Sequence, residues 1–249
     1  MGFRHIRVAP LTGALGAEVE GVSLAGPLPD EVMAEVHRAF LDFAVLCFRD
    51  QELPPARQLA FARGFGEPEV HPIVQGTDEH PEVLRVFKPA GESASFGVGW
   101  HSDNSFFERP SLGTVLYGVT IPPFGGDTLF ASAERAWEAL SPAMQERLLG
   151  LRAVHSASRA YDPGTTGRAK YEGGSSMRYR WSEAVTAEVE HPLVRTHPET
   201  GRRCIYVNPM FTMRIAGMTA EESDALLGLL FAHVARPDFQ CRVRWEPKS

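Results

Sequence analysis

Cysteine is scarce in this chain, and the three present, Cys47, Cys204 and Cys241, lie far apart with no CxxC spacing. That leaves no disulfide framework and no zinc ribbon to build, and it suits a reducing cytoplasm. No block of basic residues appears either. The 25 basic and 31 acidic residues are interleaved to a net charge of −6. Nothing here tracks phosphates, which argues against nucleic acid as a partner. Long apolar runs are missing, so no membrane span is expected. Arg4, His5 and Arg7 near the start are not followed by the apolar stretch a signal peptide needs. Repeats and low-complexity tracts are lacking too. What is present is 249 residues, 43% of them hydrophobic. They are expected to bury one core as a single cytoplasmic domain over residues 1–249.

The patterning mixes two periods. Ile6, Val8, Ala17 and Val19 predict strands separated by a turn at 11–16. Val32, Val36, Phe40 and Phe43 predict a helix with Asp30 as N-cap. Residues 44–48 form a continuous apolar run that predicts a buried strand, and Pro54-Pro55 opens a second helix towards Gly64. Strands are expected at 83–87 and 115–119, and loops at 122–126 and 163–174. Ser132 starts a helix predicted to run to Gly150, and Thr219 with Glu222 forms a capping-box signature for another. Cys241, Val243 and Trp245 alternate with Arg242 and Arg244 as a last strand, with a turn over 246–249. Strands with helices added in groups predict an α+β chain around a sandwich or barrel.

One short motif carries chemistry. In Trp100-His101-Ser102-Asp103 the imidazole and the carboxylate stand two residues apart. On an extended segment both point to one side and can face one metal ion, so they are expected to project from the end of a strand. They supply two thirds of a 2-His-1-carboxylate set, the arrangement that leaves open positions on Fe(II). Alone, the motif leaves a metal protein with other redox or isomerase chemistry open. Gly125-Gly126-Asp127-Thr128 adds a loop whose glycines allow close backbone approach and whose Thr128 hydroxyl can donate to a carboxylate.

These motifs do not stand alone. Leu-Gly-Ala-Glu-Val at 15–19, Phe-Arg-Asp-Gln at 48–51, Arg-Gly-Phe-Gly at 63–66 and His71-Pro72 precede them. His-Pro-Leu-Val-Arg-Thr-His-Pro at 191–198, Tyr-Val-Asn at 206–208 and Arg-Val-Arg-Trp at 242–245 follow. In this order the chain resembles the taurine dioxygenase/TfdA-type family over most of its length. The resemblance implies a double-stranded β-helix (jelly roll) with flanking helices. It implies a dioxygenase using Fe(II), with 2-oxoglutarate and O₂ as co-substrates, to hydroxylate a small organic anion, often with release of a heteroatom group. His101 and Asp103 would be iron ligands and Thr128 would hold a 2-oxoglutarate carboxylate. His71, Phe106, Tyr161 and Phe211 would line the substrate pocket, although Phe106 and Phe211 read equally as core aromatics and His71 as a surface residue. A homo-oligomer, dimer or tetramer, is expected.

The chain also departs from the pattern. Gly97 stands where the taurine-specific pattern has asparagine, and Val74 where it has tyrosine. Both remove polar contacts to a small amino-sulfonate, which points to alkyl sulfates, other sulfonates or aryloxyalkanoates. The family's distal histidine ligand and two arginines belong to a segment beyond 242–245, whereas Ser249 is the last residue here. The expectation is a shortened member, lacking C-terminal strands and weak in iron binding. An inactive member with a binding or assembly role is the alternative.

Overall fold

Residues 2–92, 96–164 and 176–249 are described in this computed structural model. At the amino end, β1 (Arg7–Pro10) and β2 (Ala17–Glu20) pair antiparallel, with Val8 opposite Val19. β3 (Leu46–Phe48) then joins β2 in parallel. A parallel pair needs a crossover, and α1 (Asp30–Phe43) supplies it. The helix forms on its apolar spacing, burying Val36 and Ala39 against Ile6 and Val19. Asp30 is not the N-cap. Pro29 takes that place without a side-chain bond, and Asp30 sits in the first turn, where its charge faces free N–H groups. α2 (Pro55–Ala62) begins on proline, and Phe61 packs edge-on against Phe48 and Phe65 at 5.8 and 5.4 Å.

The single helix expected from Ser132 is two. α3 (Ala133–Glu138) is capped by the Ser132 hydroxyl, which accepts from the Arg135 N–H at 3.1 Å. α4 (Pro142–Leu148) is capped by Ser141 in the same way. Pro142 lacks an N–H and would clash with the carbonyl four residues earlier in a continuous helix, so the chain restarts there. β4 (Thr128–Ala131) precedes this pair. After it come β5 (Arg152–His155), the one-turn α5 (Ser158–Tyr161), β6 (Val189–Pro192), β7 (Val194–Thr196), β8 (Arg203–Ile205) and β9 (Thr212–Ile215). α6 (Ala220–Val234) follows, with the predicted capping box formed between Thr219 and Glu222, and β10 (Gln240–Val243) is the last strand.

Among the described residues the strands form four small sheets, ordered β1-β2-β3, β10-β4, β6-β5-β9 and β7-β8. The result is a mixed helix-and-sheet chain. Leu148, Ala153, Leu193, Ile215, Leu227 and Leu230 make the largest buried cluster, where α6 and the α3–α4 pair cover the strands. Burying each such leucine or isoleucine stabilises by about 1.5–3 kcal/mol.

The strands expected at 83–87 and 115–119 do not form, because their backbone groups are spent outside any ladder. Val83 donates to the His80 carbonyl and accepts from Thr77, and Gly118 exchanges bonds with Lys248 and Ser249. The Val115 carbonyl takes the Gln58 side chain. High strand propensity without a ladder partner gives no strand. The 246–249 turn is present, with Ser249 donating to the Glu246 carbonyl. The loop expected at 163–174 falls mostly outside the described residues. Among those residues no helix is long and apolar enough to cross a membrane.

Candidate functional site

His101 and Asp103 sit on a turn, not at a strand end. Ser105 donates back to the Ser102 carbonyl, and Asn104 has φ 53. The expected convergence holds all the same: His101 Nε2 and Asp103 Oδ1 are 3.2 Å apart. Each group has its other polar atom tied elsewhere. His101 Nδ1 lies 2.9 Å from the Gly99 carbonyl, which can only accept, so the proton of the neutral ring belongs on Nδ1 and Nε2 keeps its lone pair. The Thr114 hydroxyl donates to Asp103 Oδ2 at 2.6 Å, so Oδ1 is the oxygen turned towards His101. One imidazole nitrogen and one carboxylate oxygen, each oriented by an outer partner, fit a divalent first-row metal ion. Without a cation the two serve each other: the bond to Asp103 raises the His101 imidazole above its usual pKa, and His101 lowers the Asp103 carboxyl.

The aromatic residues gather beside this pair. Phe211 stands edge-on to His101 at 6.3 Å, Phe106 lies 4.9 Å from Phe211, and Tyr161 stacks on Phe211 at 6.4 Å. His71 joins them at 6.3 Å from both Phe106 and Tyr161. It is not a loose surface residue. Its Nδ1 accepts from the Ile73 and Val74 N–H groups, and burial holds its pKa down to about 4, so the ring is neutral. Phe106 and Phe211 are each 3% exposed within a cluster that includes Ile73, Val74 and Val185. Both therefore pack the core, and Phe211 also faces the pair.

Val74 is fully buried in that cluster and offers no polar group. Gly97 has φ 69, and a Cβ placed on it would come within 3.7 Å of His101 Cε1. Any side chain there would stand against the imidazole, so the glycine keeps that approach open. On the other side, a cavity of about 270 Å³ is bounded by His101, Leu129, Phe130, Asn208 and Phe231.

Thr128 is set apart from the pair. It begins β4 opposite Val243, and its hydroxyl accepts from Trp245 Nε1 at 2.8 Å. Its own hydrogen is left to donate. Asp127 beside it pairs with Arg242 at 3.2 Å. The structure thus brings His71, His101, Asp103, Phe106, Tyr161 and Phe211 together, and places Thr128 next to the strand residues that border the cavity.

Sequence reasoning passed over Thr114, whose contact with Asp103 no local spacing signals. It also gave His191 no role beyond its place in the 191–198 motif. That residue is in β6, 5% exposed, and donates through Nε2 to the Phe107 carbonyl at 2.9 Å. His155 and Ser105, both fully buried, and Asn208 complete a polar layer under the turn. Only their burial in apolar runs could have drawn notice.

The geometry meets a clear likeness to known proteins. The family model "Taurine catabolism dioxygenase TauD, TfdA family" matches residues 7–249. An alkylsulfatase of Acinetobacter baylyi is 32% identical over 245 residues, covering 98% of this chain and 75% of the relative. An alpha-ketoglutarate-dependent sulfate ester dioxygenase of Pseudomonas putida is 33% identical, covering 97% of this chain and 79% of the relative. A solved taurine dioxygenase from Burkholderia xenovorans superposes with a TM-score of 0.76 at 36% identity, covering 98% of this chain and 78% of that one. The chain belongs to the TauD/TfdA family of alpha-ketoglutarate-dependent dioxygenases.

Proposed function

We infer that the protein is an Fe(II)- and 2-oxoglutarate-dependent dioxygenase that hydroxylates a small organic anion with an apolar tail: an alkyl sulfate, a sulfonate or an aryloxyalkanoate. One observation carries this reading. His101 Nε2 and Asp103 Oδ1 face one point while Gly99 and Thr114 hold their other atoms. The four small sheets are read as parts of a jelly roll within one domain. Bound iron would supply the activation of O₂ that is coupled to decarboxylation of 2-oxoglutarate. The chain's own residues supply placement. Gly99 fixes the ligating tautomer of His101, and Thr114 turns Asp103 so that one oxygen is presented. Phe106, Tyr161 and Phe211 wall the site with apolar surface and exclude water, and neutral His71 brings no charge.

Thr128 would hold a carboxylate of 2-oxoglutarate with its free hydroxyl hydrogen. Thr128→Val keeps the shape and removes that donor, along with the acceptor for Trp245. Loss of a hydrogen bond to a charged group costs about 1.5–3 kcal/mol. The Michaelis constant for 2-oxoglutarate is expected to rise by roughly 10- to 150-fold. A constant that stays put removes Thr128 from the assignment.

The functional reading is tested by succinate formation with Fe(II), 2-oxoglutarate and a panel of taurine, medium-chain alkyl sulfates and sulfonates, and aryloxyalkanoates. An apolar pocket gains only ~1–3 kcal/mol per methylene, so it ranks substrates by size, whereas a polar site rejects analogues sharply. Anions with apolar tails are expected to lead and taurine to trail. Taurine leading by a wide margin would overturn the argument from Gly97 and Val74. A second reading, a member that keeps the fold without turnover, draws on one observation: among the described residues no third metal-ligating side chain joins the pair. Absence of succinate with every anion would favour it.

A further inference from the structure

The turn that carries His101 and Asp103 rests on buried polar groups from three other segments. Ser105 lies two residues past Asp103 and is fully buried. Its hydroxyl has two partners: Asn208 Nδ2 at 3.0 Å, from the connection between β8 and β9, and His155 Nδ1 at 3.2 Å, from the end of β5. From β6, His191 donates to the Phe107 carbonyl.

The donors fix the direction of this chain of bonds. The Phe211 N–H can only donate, and it reaches Asn208 Oδ1 at 2.8 Å. The other end of the amide is therefore Nδ2, a donor, and Ser105 accepts from it. The single hydroxyl hydrogen of Ser105 is then free for His155 Nδ1. A neutral His155 that accepts at Nδ1 carries its proton on Nε2. That atom is buried with no hydrogen-bond partner among the described residues. Charge on the ring is opposed by burial, by His191 at 5.3 Å between ring centres, and by Arg195 lying over Tyr206, and only the Tyr206 backbone favours it. Tyr206 itself stacks on His155 at 5.6 Å.

A buried polar atom left without a good partner calls for an explanation. Here the explanation is the bond at the opposite nitrogen. We propose that Asn208, Ser105 and His155 form a one-directional hydrogen-bond relay, ending on the Nε2–H tautomer of His155, that positions the turn presenting His101 and Asp103. Asn208 also sets Phe211 through the same amide, so the relay fixes the aromatic wall and the ligand pair against one frame. His155 is a positioning residue that touches neither substrate nor metal. Its importance for the ligand pair rests on reading His101 and Asp103 as ligands, whereas the relay itself does not.

The test reads ring tautomers from long-range nitrogen–proton correlation spectra of the full chain labelled at histidine, without metal. At pH 7.5 His155 is expected as the Nε2–H tautomer. Finding His155 protonated on Nδ1 overturns the relay with no variant needed. Asn208→Asp keeps the shape but can only accept at the end facing Ser105, so the hydroxyl turns towards it and His155 Nδ1 should gain the proton. An unchanged His155 tautomer in that variant also overturns the proposal. Ser105→Ala should shift the His101 ring signals while His37 and His233 keep theirs, and Ser105→Thr should restore them. A His101 unmoved by Ser105→Ala would sink its positioning role. If Ser105→Ala does not fold, the wild-type and Asn208→Asp spectra still decide the relay. Metal titration of His101→Ala separately decides the ligand reading.

Discussion

His101→Ala is expected to lower Mn(II) affinity by at least ~100-fold, and Asp103→Ala to do the same. Losing only an outer-shell partner typically costs ~10–100-fold, so losing a ligand atom sets that range as a floor. The pair is also asymmetric in a useful way. The Asp103 side chain is 50% exposed and that of His101 25%. Truncating either leaves no large hole, and the fold should survive both changes. Succinate formation should vanish with the affinity. The check is a Mn(II) titration followed by electron paramagnetic resonance, alongside a turnover assay. Affinity unchanged in both variants would mean that the 3.2 Å approach is an ordinary surface ion pair.

A second large effect is expected at Phe106, on stability. The ring is 3% exposed and meets Phe107 at 4.7 Å and Phe211 at 4.9 Å. Replacing a buried phenylalanine by alanine costs about 3–5 kcal/mol, from lost burial and the cavity left behind. Phe106→Ala should move the urea midpoint sharply downward, in some conditions below what supports a folded protein. A residue that only lined an open pocket would change substrate affinity and leave the midpoint in place. A destabilisation under about 1 kcal/mol would assign Phe106 to that role alone.

These two residues also show what the sequence made legible. His101 and Asp103 could be read because two-residue spacing is itself a geometric statement. The strand assumed beneath them was wrong in detail, since Asn104 at positive φ bends the segment into a turn. The turn keeps both side chains on one side. α1 was legible from its period and α6 from its capping box, whereas the break at Ser141-Pro142 was missed although proline at a helix start is a known signal. The apolar segments at 83–87 and 115–119 misled, because propensity says nothing about whether a partner strand arrives. The polar layer of Ser105, His155, His191 and Asn208 was out of reach. Its members lie up to 103 positions apart and are joined only by folding.

The pairing of β4 with β10 has a consequence in time. Asp127 and Arg242, at its start and finish, are 115 positions apart. A ribosome adding roughly 5–20 residues per second makes β4 about ten seconds before its partner exists. Through that interval β4 carries an open edge on a short, partly apolar segment, Thr-Leu-Phe-Ala, the kind of surface that recruits other chains. Gly125 and Gly126 before it, both at positive φ, and the α3 cap at Ser132 after it keep the exposed stretch short. Closing so distant a contact is entropically slow, so the corner shared by Thr128 and Trp245 is expected to assemble late. A chaperone or a neighbouring nascent chain would meet that corner before any co-substrate does.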